Sequence, residues 1–163
     1  MKKVIFVFII FFTVSSMAFS QNNNEWRWGG LIRFRPMATI FGLALGGFEI
    51  CADWVPYVTP NIGIPIEIDF CIIGGTTVFG IMSGIEVIPI RHKEKNGLYL
   101  TAIAGPFFIE NQGFTFGGRT NIGYQIVTGG GFVFTPAVGV KYNGLTGVFL
   151  DMMLDIGFAY RKC

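Results

Sequence analysis

Charge is scarce in this sequence. Only 13% of the 163 residues are Asp, Glu, Lys or Arg, whereas 52% are hydrophobic, and typical soluble domains carry about 25% charged residues. Long apolar runs are also missing after residue 20, where no stretch reaches the roughly 18 residues that a transmembrane helix needs. The composition therefore leaves two classes: a membrane barrel that crosses with strands, or a soluble β protein with an unusually apolar surface.

An excess of charge of one sign is also lacking. The chain has 12 basic and 10 acidic residues, and two of the basic ones, Lys2 and Lys3, lie at the N-terminus. The remaining 10 basic residues equal the 10 acidic ones in number. Because there is no basic surplus to bind nucleic-acid phosphates, no nucleic-acid partner is expected.

Residues suited to catalysis or metal binding are few. His92 is the single histidine, and Ser83 is the only serine beyond residue 20. Nothing in the sequence places these two together as a nucleophile and its base. Metal sites favour clusters of His and Cys, and the sequence offers none. We therefore expect no enzyme activity, no cofactor and no metal.

The first residues have the features of a secretory signal peptide. Lys2 and Lys3 form a basic start, the short apolar core VIFVFIIFF follows, and small residues precede a cleavage site before Gln21. This pattern predicts a signal peptide over residues 1–20 and a mature domain over residues 21–163. A membrane anchor is the alternative, but the apolar core is short for one.

From Trp26 onward the dominant hydrophobic pattern has a period of two. In Phe132–Asn143 the even positions are mostly bulky and apolar, and the odd positions are mostly small or polar. Side chains alternate between the two faces of a β-strand, so this period predicts strands. Turn signals such as Gly74-Gly75 separate the runs. Eight strands are predicted, at residues 28–41, 47–57, 62–72, 76–90, 98–109, 114–127, 132–143 and 148–161.

Three features favour a membrane barrel over a soluble sandwich. The runs are roughly 10–14 residues long, nearer to a membrane-spanning strand than to an average soluble one. The face opposite the apolar residues is small or charged, as a narrow barrel interior requires. Aromatic residues gather near the strand ends, as in membrane barrels. We predict an all-β fold, a closed antiparallel up-and-down transmembrane β-barrel of about eight strands, with the facing of residues 98–109 left open.

Two segments strengthen this interpretation. The residues NIGYQ (121–125) precede a glycine-rich turn, and LDIGFAY (154–160) ends the last alternating strand. Together with the leader, they make the mature chain resemble the small OmpX/OmpA-type outer-membrane barrels. The resemblance implies export to the bacterial outer membrane, with outer-membrane lipid and the outer-membrane assembly machinery as partners, and we expect a monomer. Such chains usually end on an aromatic residue, whereas here Tyr160 is followed by Arg161, Lys162 and Cys163.

The predicted extracellular loops are short, and loops are where recognition usually resides. We therefore expect an envelope-integrity or interaction role without enzyme activity. A small-solute outer-membrane pore is one alternative. A soluble periplasmic barrel that holds a lipid in an apolar interior is another, and solubility without detergent would distinguish it from the first two.

Most charged residues of the strands fall on the face that a barrel turns inward. A charge in a narrow lumen is costly unless it is paired, and a guanidinium can hold two carboxylates at once. Ion pairing is therefore favoured over acid–base chemistry for the acidic pairs of strands three and eight. The predicted interior charge network, which closes the lumen, consists of Arg27, Arg33, Arg35, Glu49, Asp53, Glu67, Asp69, Glu86, Arg119, Lys141, Asp151, Asp155 and Arg161.

Two cysteines fall on the same inward face of consecutive predicted strands. A turn near Asn61 would bring Cys51 and Cys71 opposite each other or one step diagonal. Disulfides persist in an oxidising envelope, so a disulfide between these two residues is a possible feature, with two unbridged thiols as the alternative. Cys163 has no evident partner in the sequence.

Overall fold

The computed structural model describes residues 28–44, 46–91, 96–144 and 147–161. The predicted signal peptide over residues 1–20 lies outside this range, as do Arg27, His92 and Cys163. The described strands are β1 (Trp28–Phe34), β2 (Phe48–Pro56), β3 (Ile62–Gly63), β4 (Ile66–Ile73), β5 (Thr76–Arg91), β6 (Gly97–Ile109), β7 (Gly113–Val127), β8 (Phe132–Asn143) and β9 (Gly147–Arg161), and the described helix is α1 (Pro36–Ala44).

The strands form one closed ring in the order β1-β2-β4-β5-β6-β7-β8-β9, and β9 pairs back with β1. Every neighbouring pair is antiparallel. The short strand β3 also pairs with β5, in line with β4, so the two count as one interrupted strand. The predicted all-β, closed, antiparallel eight-stranded barrel is therefore confirmed.

The interruption between β3 and β4 coincides with Pro65. Proline has no backbone N–H to donate to a strand neighbour. The backbone N–H of Gly84 on β5 still donates to the Pro65 carbonyl over 3.3 Å, and the Ser83 hydroxyl donates to the same carbonyl over 2.9 Å. The neighbouring strand thus holds the chain in line across the break.

The first predicted strand is partly wrong. Residues 28–41 were expected to be extended, with almost no helix after the leader, but β1 ends at Phe34 and α1 begins at Pro36. Proline favours the first helical turn, where its missing N–H costs nothing. Met, Ala and Leu then supply good helix formers. Among the described residues, no helix is long and apolar enough to cross a membrane.

The alternation along the strands sorts side chains between the outside and the lumen. Even-numbered positions of β6 face outward and odd-numbered ones face inward, which settles the facing that the sequence left open. The outer face carries large apolar side chains on all sides of the barrel. Examples from successive strands are Ile32, Ile50, Ile68, Ile81, Leu100, Ile122, Val138 and Met152.

We call the end of the barrel that contains Trp28 and Arg161 the terminal end, and the opposite one the helix end, because α1 lies there. Gly74 and Gly75 form the tight turn between β4 and β5 at the helix end, both with positive φ (59° and 79°). Two consecutive positive φ values are typical of a type I′ hairpin turn, which glycine adopts without strain.

Candidate functional site

The charged side chains meet inside the lumen at successive levels, and Arg33 organises the level nearest the terminal end. Its guanidinium donates to Asp53 through Nε (3.0 Å to Oδ1) and Nη2 (2.8 Å to Oδ2). Nη2 also donates to Oε2 of Glu86 over 2.7 Å. All three side chains are buried. Asp53 lies directly opposite Arg33 on β2, whereas Glu86 reaches the guanidinium from β5.

Neutral polar groups complete this level. The Tyr57 hydroxyl donates to Oε1 of Glu86 over 2.5 Å, and Nε2 of Gln125 donates to the Tyr57 oxygen over 3.2 Å. The Tyr99 ring lies under the Arg33 guanidinium, with 5.7 Å between Cζ and the ring centroid. Buried charges need such additional partners, because removal from water costs several kcal/mol per ion.

The middle level centres on Glu67, whose side chain is fully buried. Oε2 of Glu67 accepts from Nη2 of Arg35 over 3.3 Å and also forms an ion pair with Arg119. Arg35 further donates through Nε to Oδ1 of Asp155 over 3.0 Å. Its Nη1 lies 3.1 Å from Sγ of Cys51. Two guanidiniums from β7 and from the end of β1 therefore share one carboxylate.

The level nearest the helix end is richer in carboxylates. Nζ of Lys141 pairs with Oδ2 of Asp69 over 3.2 Å. Asp151 is half-buried, and its Oδ2 lies 4.0 Å from Nη1 of Arg119. Glu49 is also half-buried and is placed on the lumen face of β2 by the alternation. This level has three carboxylates around one ammonium group.

The charged levels rest on an apolar layer at the terminal end. Leu31, Val55, Ile88, Val127 and Val133 are buried there and pack into one cluster. The cluster blocks the lumen at that end with hydrocarbon. A smaller cluster of Met82, Ile103 and Phe107 lines the β5 and β6 side nearer the helix end.

The described part of the predicted network is brought together inside the barrel. Arg27 lies outside the described residues, and nothing is described of the Arg161 side chain. The remaining lumen groups are four cations, namely Arg33, Arg35, Arg119 and Lys141, and seven carboxylates, namely Glu49, Asp53, Glu67, Asp69, Glu86, Asp151 and Asp155. Among the described lumen groups, carboxylates outnumber cations by three, and the two predicted cations missing from this count are Arg27 and Arg161, whose side chains are not described.

Several buried polar atoms in the lumen have no hydrogen-bond partner within the described protein. Such atoms are rare in folded proteins, and each one calls for a bound water, an ion or another ligand group. They are Glu67 Oε1, Asp69 Oδ1, Tyr99 Oη, Arg119 Nη1, Thr135 Oγ1 and Asp151 Oδ2. Three of the six are carboxylate oxygens, and two of these belong to the level nearest the helix end.

The possible disulfide is not formed. Cys51 and Cys71 are both free thiols. Cys51 lies opposite Asp69, and Cys71 lies opposite Glu49, so the two cysteines are diagonal neighbours on the lumen face. Diagonal positions are typically about 7–8 Å apart, at or beyond the Cα separation of about 7 Å that a disulfide tolerates.

Within the described residues, no group of three or more His, Cys, Asp or Glu side chains is arranged to hold a metal ion. The chain matches no protein-family model, no curated protein and no solved structure.

Sequence reasoning missed the neutral members of the network and the apolar layer. Tyr57 lies near a strand end, where the sequence places many aromatic residues, but its side chain is buried in the lumen and bonds to Glu86. A usable signal did exist, because the lumen-facing positions Leu31, Val55, Val127 and Val133 are all apolar and all lie near the same end of their strands.

Proposed function

We propose that this chain is an integral outer-membrane β-barrel with a structural role in the cell envelope and a closed, ion-paired interior. One observation carries the proposal. Of the Asp, Glu, Lys and Arg side chains that the structure describes, only that of Glu110, in the turn between β6 and β7, is exposed. The other described charged side chains are buried or half-buried in the lumen, and none of them lies on the outer wall.

The outer wall is suited to lipid and poorly suited to water. Large apolar side chains on every side of the barrel are between about a third and four-fifths exposed. A monomeric soluble protein seldom shows a contiguous apolar patch above a few hundred Å², and here the apolar surface encircles the molecule. In a bilayer the same surface meets hydrocarbon, and a closed ring leaves few backbone groups unpaired.

Aromatic side chains form two belts on the outer wall. At the terminal end, the Trp54 indole donates to the Tyr160 hydroxyl over 2.8 Å, and the Phe132 and Phe158 rings contact edge to face at 5.8 Å. At the helix end, the Phe108 ring contacts the Phe114 ring edge to face, with 5.4 Å between the ring centroids. Aromatic residues collect in this way at the two membrane–water interfaces of barrels.

The lumen argues against both alternative functions. A pore for small solutes needs a continuous aqueous path, but ion pairs cross the lumen and an apolar layer blocks its terminal end. A soluble lipid-holding barrel needs an apolar interior and a polar exterior, the reverse of this arrangement. In the proposed role the protein acts as a monomer, with membrane lipid and the assembly machinery as its partners.

Cell fractionation combined with gel electrophoresis tests the location. The protein should be found in the outer-membrane fraction, and the unheated sample should migrate differently from the boiled one because a closed barrel resists dodecyl sulfate. Residues 21–163 remaining in solution without detergent, after ultracentrifugation, would overturn the proposal and support the soluble barrel.

Planar-bilayer recording tests the closed interior separately. The purified wild-type protein should show no large, stable single-channel conductance. The matched control is a variant in which Arg33 and Arg35 are both replaced by Ala, which removes two guanidiniums that cross the lumen and should raise ion leakage. Stable conductance in the wild type would favour the pore.

A further inference from the structure

The barrel wall is incomplete between β2 and β9 over the half nearest the helix end. The β1–β9 ladder stops at the pair Phe34–Ile156. On the other side, β1 reaches β2 only as far as the Arg35 N–H, which donates to the Cys51 carbonyl over 3.0 Å. Beyond these points β9 continues to Gly147, with no strand on its free side.

The free edge of β9 can be assigned residue by residue. The Ala159 N–H donates to Gly131 on the β8 side, and backbone groups alternate in direction along a strand. The backbone groups of Val148, Leu150, Met152 and Leu154 therefore point towards the gap. Consistent with a missing neighbour, Val148 and Leu150 are 70% and 73% exposed, against 44% for Val140 on the adjacent strand.

Helix α1 covers this gap without replacing the missing strand. It packs against both β2 and β9. The Thr39 hydroxyl donates to the Glu49 carbonyl over 2.6 Å, on the edge of β2 that faces the gap. Backbone N–H and C=O groups of a helix pair within the helix. Helix α1 therefore has few free backbone groups that could hydrogen-bond to the edge of β9. The helix contains no charged residue and exposes Ile40 and Leu43.

The carboxylates nearest the helix end lie behind the gap. Glu49 belongs to β2 and Asp151 to β9, the two strands that flank the gap, and the alternation places both on the lumen face. Asp69 lies deeper, is only 5% exposed, and has one carboxylate oxygen, Oδ1, with no hydrogen-bond partner. Lys141 balances one of these charges. Arg119 is shared between Glu67 and Asp151, and its contact with Asp151 is the longer one, at 4.0 Å.

We infer that the seam where α1 meets the free edge of β9, within the gap between β2 and β9, is a lateral binding site for a cationic amphiphile, that is, an alkyl chain ending in an ammonium group. The ammonium lies between the Glu49 and Asp151 carboxylates, with the unpartnered Asp69 oxygen behind them. The alkyl chain lies along the exposed Val148 and Leu150 side chains. An anionic head group would face three carboxylates in a medium of low dielectric constant, where repulsion is strong.

The inference rests on the proposed membrane location, because a membrane is the source of the amphiphile. The site itself can be tested in purified protein. The probe is a primary alkylammonium ion with a diazirine in its chain, cross-linked by light to the full-length protein in nonionic detergent. Mass spectrometry of the peptides should find labelling concentrated in residues 36–44 and 147–155. The same chain ending in sulfate should label these segments weakly.

Charge-neutral variants test the head-group contacts. The variant with both Glu49→Gln and Asp151→Asn should lose about tenfold of the labelling, which corresponds to about 1.4 kcal/mol. Glu110→Gln, which neutralises the exposed carboxylate of the β6–β7 turn, is the matched control and should label like the wild type. The shift between heated and unheated gel samples verifies that each variant is folded.

Competition in the wild type keeps the test independent of variant folding. Unlabelled dodecylammonium should suppress the labelling, and dodecanol at the same concentration should not. Labelling spread evenly around the barrel, equal competition by the alcohol, or unchanged labelling in the folded double variant would overturn the inference. If the fractionation experiment finds the protein in solution, the proposed location is wrong. The labelling experiment on purified protein still decides whether the binding site exists.

Discussion

Lys141 and Asp69 meet across the full width of the barrel, with Nζ 3.2 Å from Oδ2. Their strands, β8 and β4, lie on opposite sides of the ring, four positions apart in either direction. A lysine has a long, flexible side chain, and here that reach spans the lumen. The pair therefore connects two walls that share no backbone hydrogen bond.

This cross-lumen pair should show strong energetic coupling. Lys141→Met leaves a buried carboxylate unpaired, and Asp69→Asn leaves a buried ammonium unpaired, so each change should destabilise the barrel. The double variant should be less destabilised than the sum of the two, with a coupling of about 0.5–3 kcal/mol. Urea unfolding in detergent measures the free energies of unfolding of the wild type, the two single variants and the double variant. Additive effects would show that the pair contributes no specific attraction.

The Arg35–Asp155 pair closes the barrel between its first and last strands. Arg35→Ala and Asp155→Ala should each destabilise the fold by about 3–5 kcal/mol, the usual cost of breaking a buried ion pair from one side. The double variant should be no worse than either single one. Thermal unfolding followed by the gel-mobility shift provides the comparison. Arg35→Lys should recover part of the loss, because one ammonium cannot reach every acceptor of the guanidinium.

Replacing an outer-wall residue by arginine tests whether the wall is surrounded by lipid or by water. Ile122 lies near the middle of β7 and Ile126 near its terminal end, and both point outward. If the wall faces lipid, Ile122→Arg should cost about 2–4 kcal/mol and Ile126→Arg at most about 1 kcal/mol. Equilibrium folding into vesicles measures both. Two equally small costs would indicate a wall that faces water.

Amide exchange should reveal the free edge of β9. The N–H groups of Val148, Leu150 and Met152 point to the gap, so they should exchange faster than those of Asp151 and Met153, which point to β8. The expected contrast is an alternation along one strand. Nuclear magnetic resonance of the labelled protein in micelles resolves it, and uniform protection from residue 148 to 154 would mean that the gap is closed by backbone pairing.

The strand pattern could be predicted from the sequence because most strands, although not the first or the one at residues 98–109, repeat one rule over many residues. Large side chains alternate with small or charged ones from Gly113 to Val127 and from Phe132 to Asn143, and the closed sheet preserves that alternation. Since the facing of each residue then follows from its parity, the lumen positions of Arg33, Glu67 and Asp155 could be derived before any pairing was known.

Where the structure differs from the sequence-based prediction, the cause lies in particular residues. Helix α1 was not predicted because the apolar residues Ile32, Phe34 and Ile40 are all even-numbered. The period-two pattern of a strand therefore continues through Pro36, where the helix begins. The turn position read from Pro60 and Asn61 placed Cys51 and Cys71 opposite or diagonal to each other, and the register makes them diagonal. At diagonal positions a disulfide depends on the exact separation of the two residues, which a turn position does not provide. The ion pairs between neighbouring strands, Arg33–Asp53 and Arg35–Asp155, follow from the strand order. The pairs that cross the lumen, such as Lys141–Asp69, depend on which strands face each other, which local periodicity cannot reveal.

The short β1–β9 ladder also determines when the barrel can form. Arg35 and Asp155 are 120 residues apart in the chain, and contacts between such distant residues form slowly. A chain that has not yet closed can pair its hairpins from β2 onward, but it remains an open sheet with two unpaired edges until β9 has paired with β1. Such edges pair readily with other chains. A chain that stops before Ile156 could never close, and aggregation would be its main fate.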